Sequence, residues 1–126
     1  MGVTNKLVRT DDGASVGCLA VNEAVALFRD KWTLLCLGAL SKADGPLRYH
    51  ALQAAVGGIS QRMLTLTLKN LERNGLVTRT LFASVPPRVD YALTPIGRSL
   101  GAPMKALLHW SLENHEAMER ARRAYV

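Results

Sequence analysis

Apolar positions recur at helical spacing along most of the chain, most clearly in residues 60–74. One stripe of this segment is apolar and is predicted to face a core, with Leu64, Thr67, Leu68 and Leu71. The opposite stripe is basic and polar, with Arg62, Lys69 and Arg73 and, at its margins, Thr65 and Asn70. Ser60 is suited to cap the start of this helix, and Gly75 is suited to end it in a left-handed conformation.

A shorter helix is predicted just before this segment, from Tyr49 to Val56, and a tight turn with Gly57 and Gly58 separates the two. A short helix, a tight turn and a longer helix make up a helix-turn-helix. In that motif the second helix lies in the major groove of DNA, and a basic outer face fits this role. The alternative is that three basic residues on a helix form an ordinary solvated surface.

Two further helices are predicted upstream. Residues 19–28 form the first, and residues 31–40 form the second, with Asp30 as its N-cap. The second helix is predicted to bury a face made of Trp32, Leu35, Cys36 and Leu40. Residues 1–17 have no apolar period, so we expect a flexible N-terminal arm there and a single domain over residues 18–126.

Downstream of Gly75, two short strands are predicted at residues 76–83 and 88–93. In the second strand Val89, Tyr91 and Leu93 alternate with polar or small residues, which is the period of a half-buried strand. The loop between them contains two prolines, and together they form a wing. Arg88 at its tip and Arg79 on its first strand are expected near phosphate or the minor groove; for Arg79, a solvated strand face is the alternative.

A last helical region is expected at about residues 95–120, capped by Thr94 and kinked or restarted at Pro103. It has more apolar residues than one small domain needs: Met104, Leu107, Leu108, Trp110, Leu112 and Met118. This surplus indicates a partner helix, most simply the same helix of a second copy. The charged residues 119–123 are expected to be solvated. The predicted fold is mainly α with a small β-hairpin wing, a winged helix-turn-helix with additional N- and C-terminal dimerisation helices.

Charge and composition narrow the class of partner. The 126 residues carry a formal charge of +6 with a pI near 9.8, which favours nucleic acid over acidic small substrates. The sequence has no stretch long enough for a membrane span, and its two cysteines form no disulfide framework, so a cytoplasmic location is expected. We find no phosphate-binding glycine loop, no nucleophile elbow and no metal-ligand spacing for His50, His109 and His115, so no enzyme, cofactor or metal is expected.

Three ordered motifs resemble the HxlR family of bacterial winged-helix transcription regulators: KWTLLCLGAL at 31–40, GISQRMLTLTLKNLERNGLVTR at 58–79 and VPPRVDYALTPIGRSL at 85–100. Cys18 also stands where that family commonly has a cysteine. The resemblance implies a homodimer joined through terminal helices, with two recognition helices on a pseudo-palindromic operator. The family usually has arginine where Thr67 stands, and it has tyrosine and glutamate where Phe82 and Ser84 stand, so this wing is less polar.

These expectations define a candidate DNA site. The residues nearest the bases are predicted to be Ser60, Gln61, Arg62 and Thr65, and those on phosphates Lys69, Arg73, Arg79 and Arg88. The predicted function is that of a sequence-specific regulator of double-stranded DNA, a repressor. The alternative is a winged-helix module that binds protein instead.

Two sensing routes are open. Cys18 precedes a helix, whose dipole stabilises a thiolate, and some relatives use the similarly placed cysteine to sense oxidants or electrophiles. The alternative is a small buried thiol at the dimer seam, while Cys36 is expected to be inert core. A small apolar effector between the core and the dimer helices is a second route, with Phe28, Trp32 or Trp110 in the wall, although plain core is the commoner role of such aromatics.

Overall fold

The computed structural model describes residues 16–126 and contains six helices and three strands within that range. The helices are α1 (Val16–Leu27), α2 (Lys31–Lys42), α3 (Tyr49–Val56), α4 (Gln61–Arg73), α5 (Pro95–Ser99) and α6 (Gly101–Ala124). The strands are β1 (Leu47–Arg48), β2 (Val77–Phe82) and β3 (Arg88–Leu93).

 The predicted winged helix-turn-helix fold is confirmed. The expected arm at residues 1–17 lies almost wholly outside the described residues, and α1 begins at Val16, inside its predicted end.

Helix α2 packs at the centre of the molecule, and the face it turns inward agrees in part with the predicted one. Cys36 and Leu40 are buried as expected, and Trp32 is half-buried. Asp30 caps it as expected, and its Oδ1 accepts a hydrogen bond of 2.9 Å from the backbone N–H of Trp32. The buried residues of α2 are Thr33, Cys36, Leu37 and Leu40. The prediction that Leu35 is buried is wrong, because this side chain is 42% exposed. Leu35 lies roughly 200° around the helix axis from Thr33, which is buried in the core.

The hydrophobic core joins α2 to the helix-turn-helix and the base of the wing. Its members outside α2 are Leu52, Ile59, Leu64, Leu68, Leu71, Leu76, Val77 and Tyr91. Every predicted apolar residue of α4 belongs to it, with Leu64, Leu68 and Leu71 no more than 1% exposed and Thr67 also buried. Fully burying a leucine side chain stabilises a fold by about 1.5–3 kcal/mol, so these leucines hold α4 firmly against the domain.

Both ends of α4 are capped as the sequence predicts. At its start, the Oγ of Ser60 accepts a hydrogen bond of 3.0 Å from the backbone N–H of Met63. At its end, Gly75 has a φ of 76°. The N–H groups of Gly75 and Leu76 donate to the carbonyls of Glu72 and Leu71, which is the Schellman arrangement. Helix α4 therefore begins and ends at fixed residues, and its length is set by its own sequence.

The wing is a three-stranded antiparallel sheet in the order β1-β3-β2. Strands β2 and β3 run from the pair Val77 and Leu93 to the pair Phe82 and Arg88. The sequence predicted these two strands and missed β1. Because β1 is only two residues long, it has no alternation of its own to detect, and its pairing with Asp90 and Tyr91 defines it as a strand.

A close contact connects the wing to the C-terminal helices. The Oγ1 of Thr94 accepts from the N–H of Gly97 at 3.0 Å and donates to the carbonyl of Gly75 at 2.6 Å. A Cβ atom on Gly97 would overlap the carbonyl oxygen of Leu76, so only glycine fits there. Helix α6 restarts at Gly101, and Pro103 lies in its first turn, where the missing N–H does no harm, in agreement with the predicted restart.

The terminal helices α1 and α6 contain no buried residue. Helix α6 has 24 residues and spans roughly 36 Å at 1.5 Å per residue. Its last turns carry residues 119–123, of which all but the half-buried Glu119 are exposed, close to the predicted solvated tail. Over residues 16–126 no helix is long and apolar enough to cross a membrane.

Candidate nucleic-acid interface

The side of α4 that faces away from the core carries four exposed side chains, Arg62, Leu66, Lys69 and Arg73. At about 100° per residue they lie roughly 140° to 200° around the helix axis from Leu64. We call these four residues the outward face. Three are cations, as the sequence predicted. The fourth, Leu66, is 52% exposed and was not predicted as part of the site.

The N-terminal end of α4 is fixed to α3 through Tyr49. Its Oη donates to the carbonyl of Gln61 at 2.8 Å and lies 2.9 Å from the Oγ1 of Thr65. Because the single phenolic hydrogen serves Gln61, the hydroxyl of Thr65 must donate to Tyr49 for both bonds to form. The sequence did not single out Tyr49, since this contact joins residues 16 positions apart and depends on how the two helices pack.

These hydrogen bonds determine which of the side chains predicted nearest the bases still have donors available. The Oγ of Ser60 accepts the capping hydrogen bond, and the hydroxyl of Thr65 donates its hydrogen to Tyr49, so Thr65 has no hydrogen left to donate to a base. Within residues 16–126, the side chains of Gln61 and Arg62 form no recorded hydrogen bond or ion pair, and both are exposed. Gln61 and Arg62 therefore have their side-chain donors available at the start of α4.

The C-terminal end of α4 is held by an amide network. Arg73 donates to the Oδ1 of Asn70 at 2.8 Å, and the Nδ2 of Asn74 donates to the carbonyl of Asn70 at 2.8 Å. These contacts leave the charge of Arg73 exposed and restrict where its guanidinium lies. Lys69, one turn before Arg73 on the same face, is also exposed.

The two arginines of the wing have different surroundings. Arg79 on β2 is exposed. Arg88 is at the distal end of the hairpin, as predicted, but its guanidinium stacks on the ring of Phe82 with 4.1 Å to the centroid. Its Nε lies 3.4 Å from the Oδ1 of Asp90, although neither atom has a well-aligned hydrogen bond. The ion pair with Asp90 offsets part of the Arg88 charge, and the terminal nitrogens carry its remaining donors.

Thr67 points into the core and is 4% exposed, with an Oγ1 that has no hydrogen-bond partner. A contact between DNA and this position is therefore excluded by the packing of α4.

Comparison with known proteins matches this architecture. The sequence model of the HxlR-like helix-turn-helix family matches residues 27–119. The chain belongs to the HxlR-like helix-turn-helix family. This result confirms the resemblance read from the three sequence motifs, and the relatives of the chain are transcriptional regulators.

One relative is an uncharacterised helix-turn-helix-type transcriptional regulator of Methanothermobacter thermautotrophicus. It is 42% identical over 91 residues, which cover 72% of this chain and 68% of the relative. A crystal structure described as a regulator of the MarR family from Porphyromonas gingivalis W83 superposes with a TM-score of 0.69 at 33% identity, covering 84% and 99% of the two chains. Diamide-treated YodB from Bacillus subtilis gives a TM-score of 0.65 at 31% identity, covering 79% and 96%.

The two cysteines of this HxlR-like chain lie in contrasting environments. Cys36 is fully buried in the core, and burial, with a smaller effect of the nearby Asp30 carboxylate, raises the pKa of its thiol to about 11. A thiol with this pKa is protonated at neutral pH, in line with the inert role predicted for it. Cys18 lies on α1 and is half-buried, inside the helix and not before it as the sequence suggested, because α1 begins earlier than predicted.

The aromatic residues predicted to line an effector site are divided between two environments. Phe28 and Trp32 pack partly buried against the core, and Trp110 is 54% exposed on α6. A separate open groove of about 460 Å³ lies between α1 and the C-terminal end of α4, lined mainly by polar side chains that include Glu23, Arg29 and Arg73. This groove differs in polarity from the predicted apolar site, which stays a prediction.

Two of the three histidines contact a neighbour on their own helix. His50 meets the ring of Tyr49 edge to face at 5.4 Å, and His115 lies 3.7 Å from Glu119 one turn along α6. Within the described part of the chain, no group of three or more His, Cys, Asp or Glu residues is placed to hold a metal ion.

Proposed function

We propose that this HxlR-like chain is a homodimeric repressor that acts in the cytoplasm and places two copies of α4 in successive major grooves of a pseudo-palindromic operator. The observation that carries the proposal is the division of α4 into two faces. Its leucines at 64, 68 and 71 are buried in the core, whereas Arg62, Lys69 and Arg73 are exposed on the outward face. A rigid helix with a basic outer face suits the major groove, whose walls are phosphates. The proposed role is binding, without catalysis.

Within this site we assign different roles to the two ends of α4. Gln61 and Arg62 are proposed to contact base edges, because they stand at the N-terminal end of the recognition helix with free donors. Ser60 and Thr65, whose hydroxyls are engaged within the chain, are proposed to position this end against the bases. Lys69, Arg73, Arg79 and the terminal nitrogens of Arg88 are proposed to contact phosphates.

The proposed dimer would bury the apolar surface of α1 and α6. The exposed side chains on these helices include Leu19, Val21, Val25, Leu107, Leu108, Trp110 and Leu112, each more than half exposed. Large apolar surfaces of this kind mark interfaces. A twofold dimer reaches two major grooves on one side of B-DNA when the centres of its recognition helices lie about 34 Å apart.

Binding titrations on an operator selected from random duplexes by the full-length chain test the base contact. Arg62→Ala is expected to cost about 1–3 kcal/mol of operator binding and to lower the preference for operator over scrambled duplex. Lys69→Ala is expected to weaken both duplexes by a similar factor. Arg120→Ala is the matched control, since it removes one exposed positive charge from the far end of α6. Equal operator affinity for wild type and Arg62→Ala would contradict the proposal.

We also propose that Cys18 is the thiol through which an oxidant or electrophile releases the DNA. Cys18 lies on α1, the helix proposed for the dimer interface, so a modification there would disturb the spacing of the two recognition helices. The fold is shared with YodB, whose structure is known after treatment with diamide. Diamide is expected to reduce operator binding by wild type and to leave Cys18→Ser unaffected. An equal response of both proteins would rule out this role.

A further inference from the structure

An apolar side chain, Leu66, lies in the middle of the outward face, and a purely electrostatic contact with phosphates does not require it. Leu66 is 52% exposed, and its neighbours on that face are Arg62, one turn before it, and Lys69 and Arg73 after it. The other leucines of α4 are buried in the core, so Leu66 contributes nothing comparable to the packing of this helix. Whatever covers Leu66 must also accommodate three positive charges, and this requirement fits a polyanion with an apolar group on its surface.

The chemistry of the major groove offers one such group. Thymine presents its 5-methyl group there beside its O4 acceptor, whereas the other three bases present hydrogen-bonding groups and no methyl group. A leucine that covers a polar base edge displaces water without replacing the hydrogen bond, which is unfavourable. A leucine that covers the thymine methyl removes two apolar surfaces from water.

The hydrogen bonds of α4 add a second argument. Because Thr65 donates its hydrogen to Tyr49 and the Ser60 Oγ accepts the capping bond, fewer side-chain groups are free to contact bases than the sequence suggested. Among residues 60–66, the exposed side chains with no such bond are those of Gln61, Arg62 and Leu66. Residues four apart on a helix are about 5–6 Å apart at Cβ, so Leu66 faces a base pair roughly one or two steps from the one that Arg62 faces.

We propose that Leu66 is a specificity-determining residue that contacts the 5-methyl group of a thymine in each operator half-site, one or two base pairs from the base contacted by Arg62. This inference rests on the proposed function, because it requires that α4 lies in the major groove.

Deoxyuridine scanning of the selected operator tests the inference, since deoxyuridine differs from thymidine only by the missing methyl group. Each thymine of the half-site is replaced symmetrically in both half-sites, and binding of the full-length chain is measured by fluorescence anisotropy. At one position the replacement is expected to weaken wild type by about fourfold per half-site, or about fifteenfold for the pair, the factor for burying one methyl group each.

The variant Leu66→Ala is expected to bind the thymine operator at least as weakly as wild type binds the deoxyuridine operator. It should also lose sensitivity to deoxyuridine at that position, with a change of less than about twofold. Alanine favours the helix, so α4 should remain folded in this variant. Leu35→Ala is the matched control, because it shortens another partly exposed helical leucine outside the outward face and should keep the deoxyuridine effect.

Two results would overturn the inference, and they are distinguishable. If wild type tolerates deoxyuridine at every thymine while Arg62→Ala still loses operator preference, Leu66 does not contact a methyl group and the proposed function stands. The same conclusion follows if Leu66→Ala keeps the full deoxyuridine effect. If wild type binds operator and scrambled duplex equally, the proposed function fails and the inference fails with it.

Discussion

Helices α4 and α6 are both amphipathic, but only α4 has its apolar face covered by its own chain. The leucines of α4 at positions 64, 68 and 71 are at most 1% exposed, whereas Leu107, Leu108 and Leu112 of α6 are 59–70% exposed. The comparison teaches that the helix-turn-helix is complete within one chain, while the long C-terminal helix is suited to a second copy. In the proposed dimer, α4 presents a surface to DNA, and α6 sets the distance between two such surfaces.

The largest change in the free energy of unfolding is expected from a cavity in the core beneath α4. Leu68→Ala removes a side chain that is 1% exposed and should lower the free energy of unfolding by about 2–5 kcal/mol. Chemical denaturation followed by circular dichroism measures this change. Leu112→Ala on α6 is the matched control, since Leu112 is 70% exposed, and at chain concentrations too low for dimers it should change stability by less than about 0.5 kcal/mol. Equal losses in the two variants would remove the distinction between the helices.

A charge placed on the apolar face of α6 should weaken the dimer and leave the stability of the single chain nearly unchanged. Leu108→Asp changes a side chain that is 62% exposed in the single chain, so the isolated fold should be nearly unaffected. The dimer dissociation constant should rise by roughly ten- to a hundredfold, because an unpaired carboxylate would be buried at the interface. Sedimentation equilibrium measures this constant, with Arg120→Ala as an α6 variant outside the apolar face. An unchanged dimer constant would exclude this face from the interface.

A smaller effect is expected where α3 meets α4. Tyr49→Phe removes the hydroxyl that bonds to the carbonyl of Gln61 and to Thr65, and it should lower stability by about 1 kcal/mol. It should also weaken operator binding severalfold, since the N-terminal end of α4 loses its connection to α3. Tyr125→Phe, near the end of the chain and 87% exposed, is the matched control and should alter neither quantity. Operator affinity that is unchanged in Tyr49→Phe would show that this connection does not position α4.

The smallest effect concerns the pH dependence of the core. The thiol of Cys36 has its pKa raised from 9.0 to about 11 in the folded chain, chiefly by burial. Between these values the unfolded chain loses this proton and the folded chain keeps it, so stability falls as pH rises through that window. Relative to Cys36→Ala, wild type should lose on the order of 1 kcal/mol between pH 9 and pH 11. Parallel stability curves for the two proteins across that range would contradict the assignment.

Features set by local spacing were predictable from the sequence, and features set by distant contacts were not. The two faces of α4, its Ser60 cap and its Gly75 ending follow from residues within the helix or next to it. For α2, Cys36 and Leu40 were predicted correctly and Leu35 was not, because Thr33 packs in the core although its residue type gives no apolar signal in the sequence.

For the candidate site, the sequence predicted which charged side chains are exposed, but it did not predict the contacts that these side chains make within the chain. The exposure of Arg62, Lys69 and Arg73 followed from the helical period. The stacking of Arg88 on Phe82 depends on the register of the hairpin. The bond between Thr65 and Tyr49 depends on the packing of two helices, so neither contact has a signal in local spacing. Leu66 could have been found from the same helical period, which places it among the cations and away from the core.

The central claim is that two copies of the outward face of α4, together with the wing cations, bind duplex DNA. The dependence of operator binding on salt concentration tests this claim most directly. If a dimer neutralises about six to eight phosphates, a plot of log K against log salt concentration should be linear with a slope of about −5 to −7. Titrations of the full-length chain on the selected operator by fluorescence anisotropy, at several concentrations of potassium chloride, give this slope. A slope near zero would contradict the account.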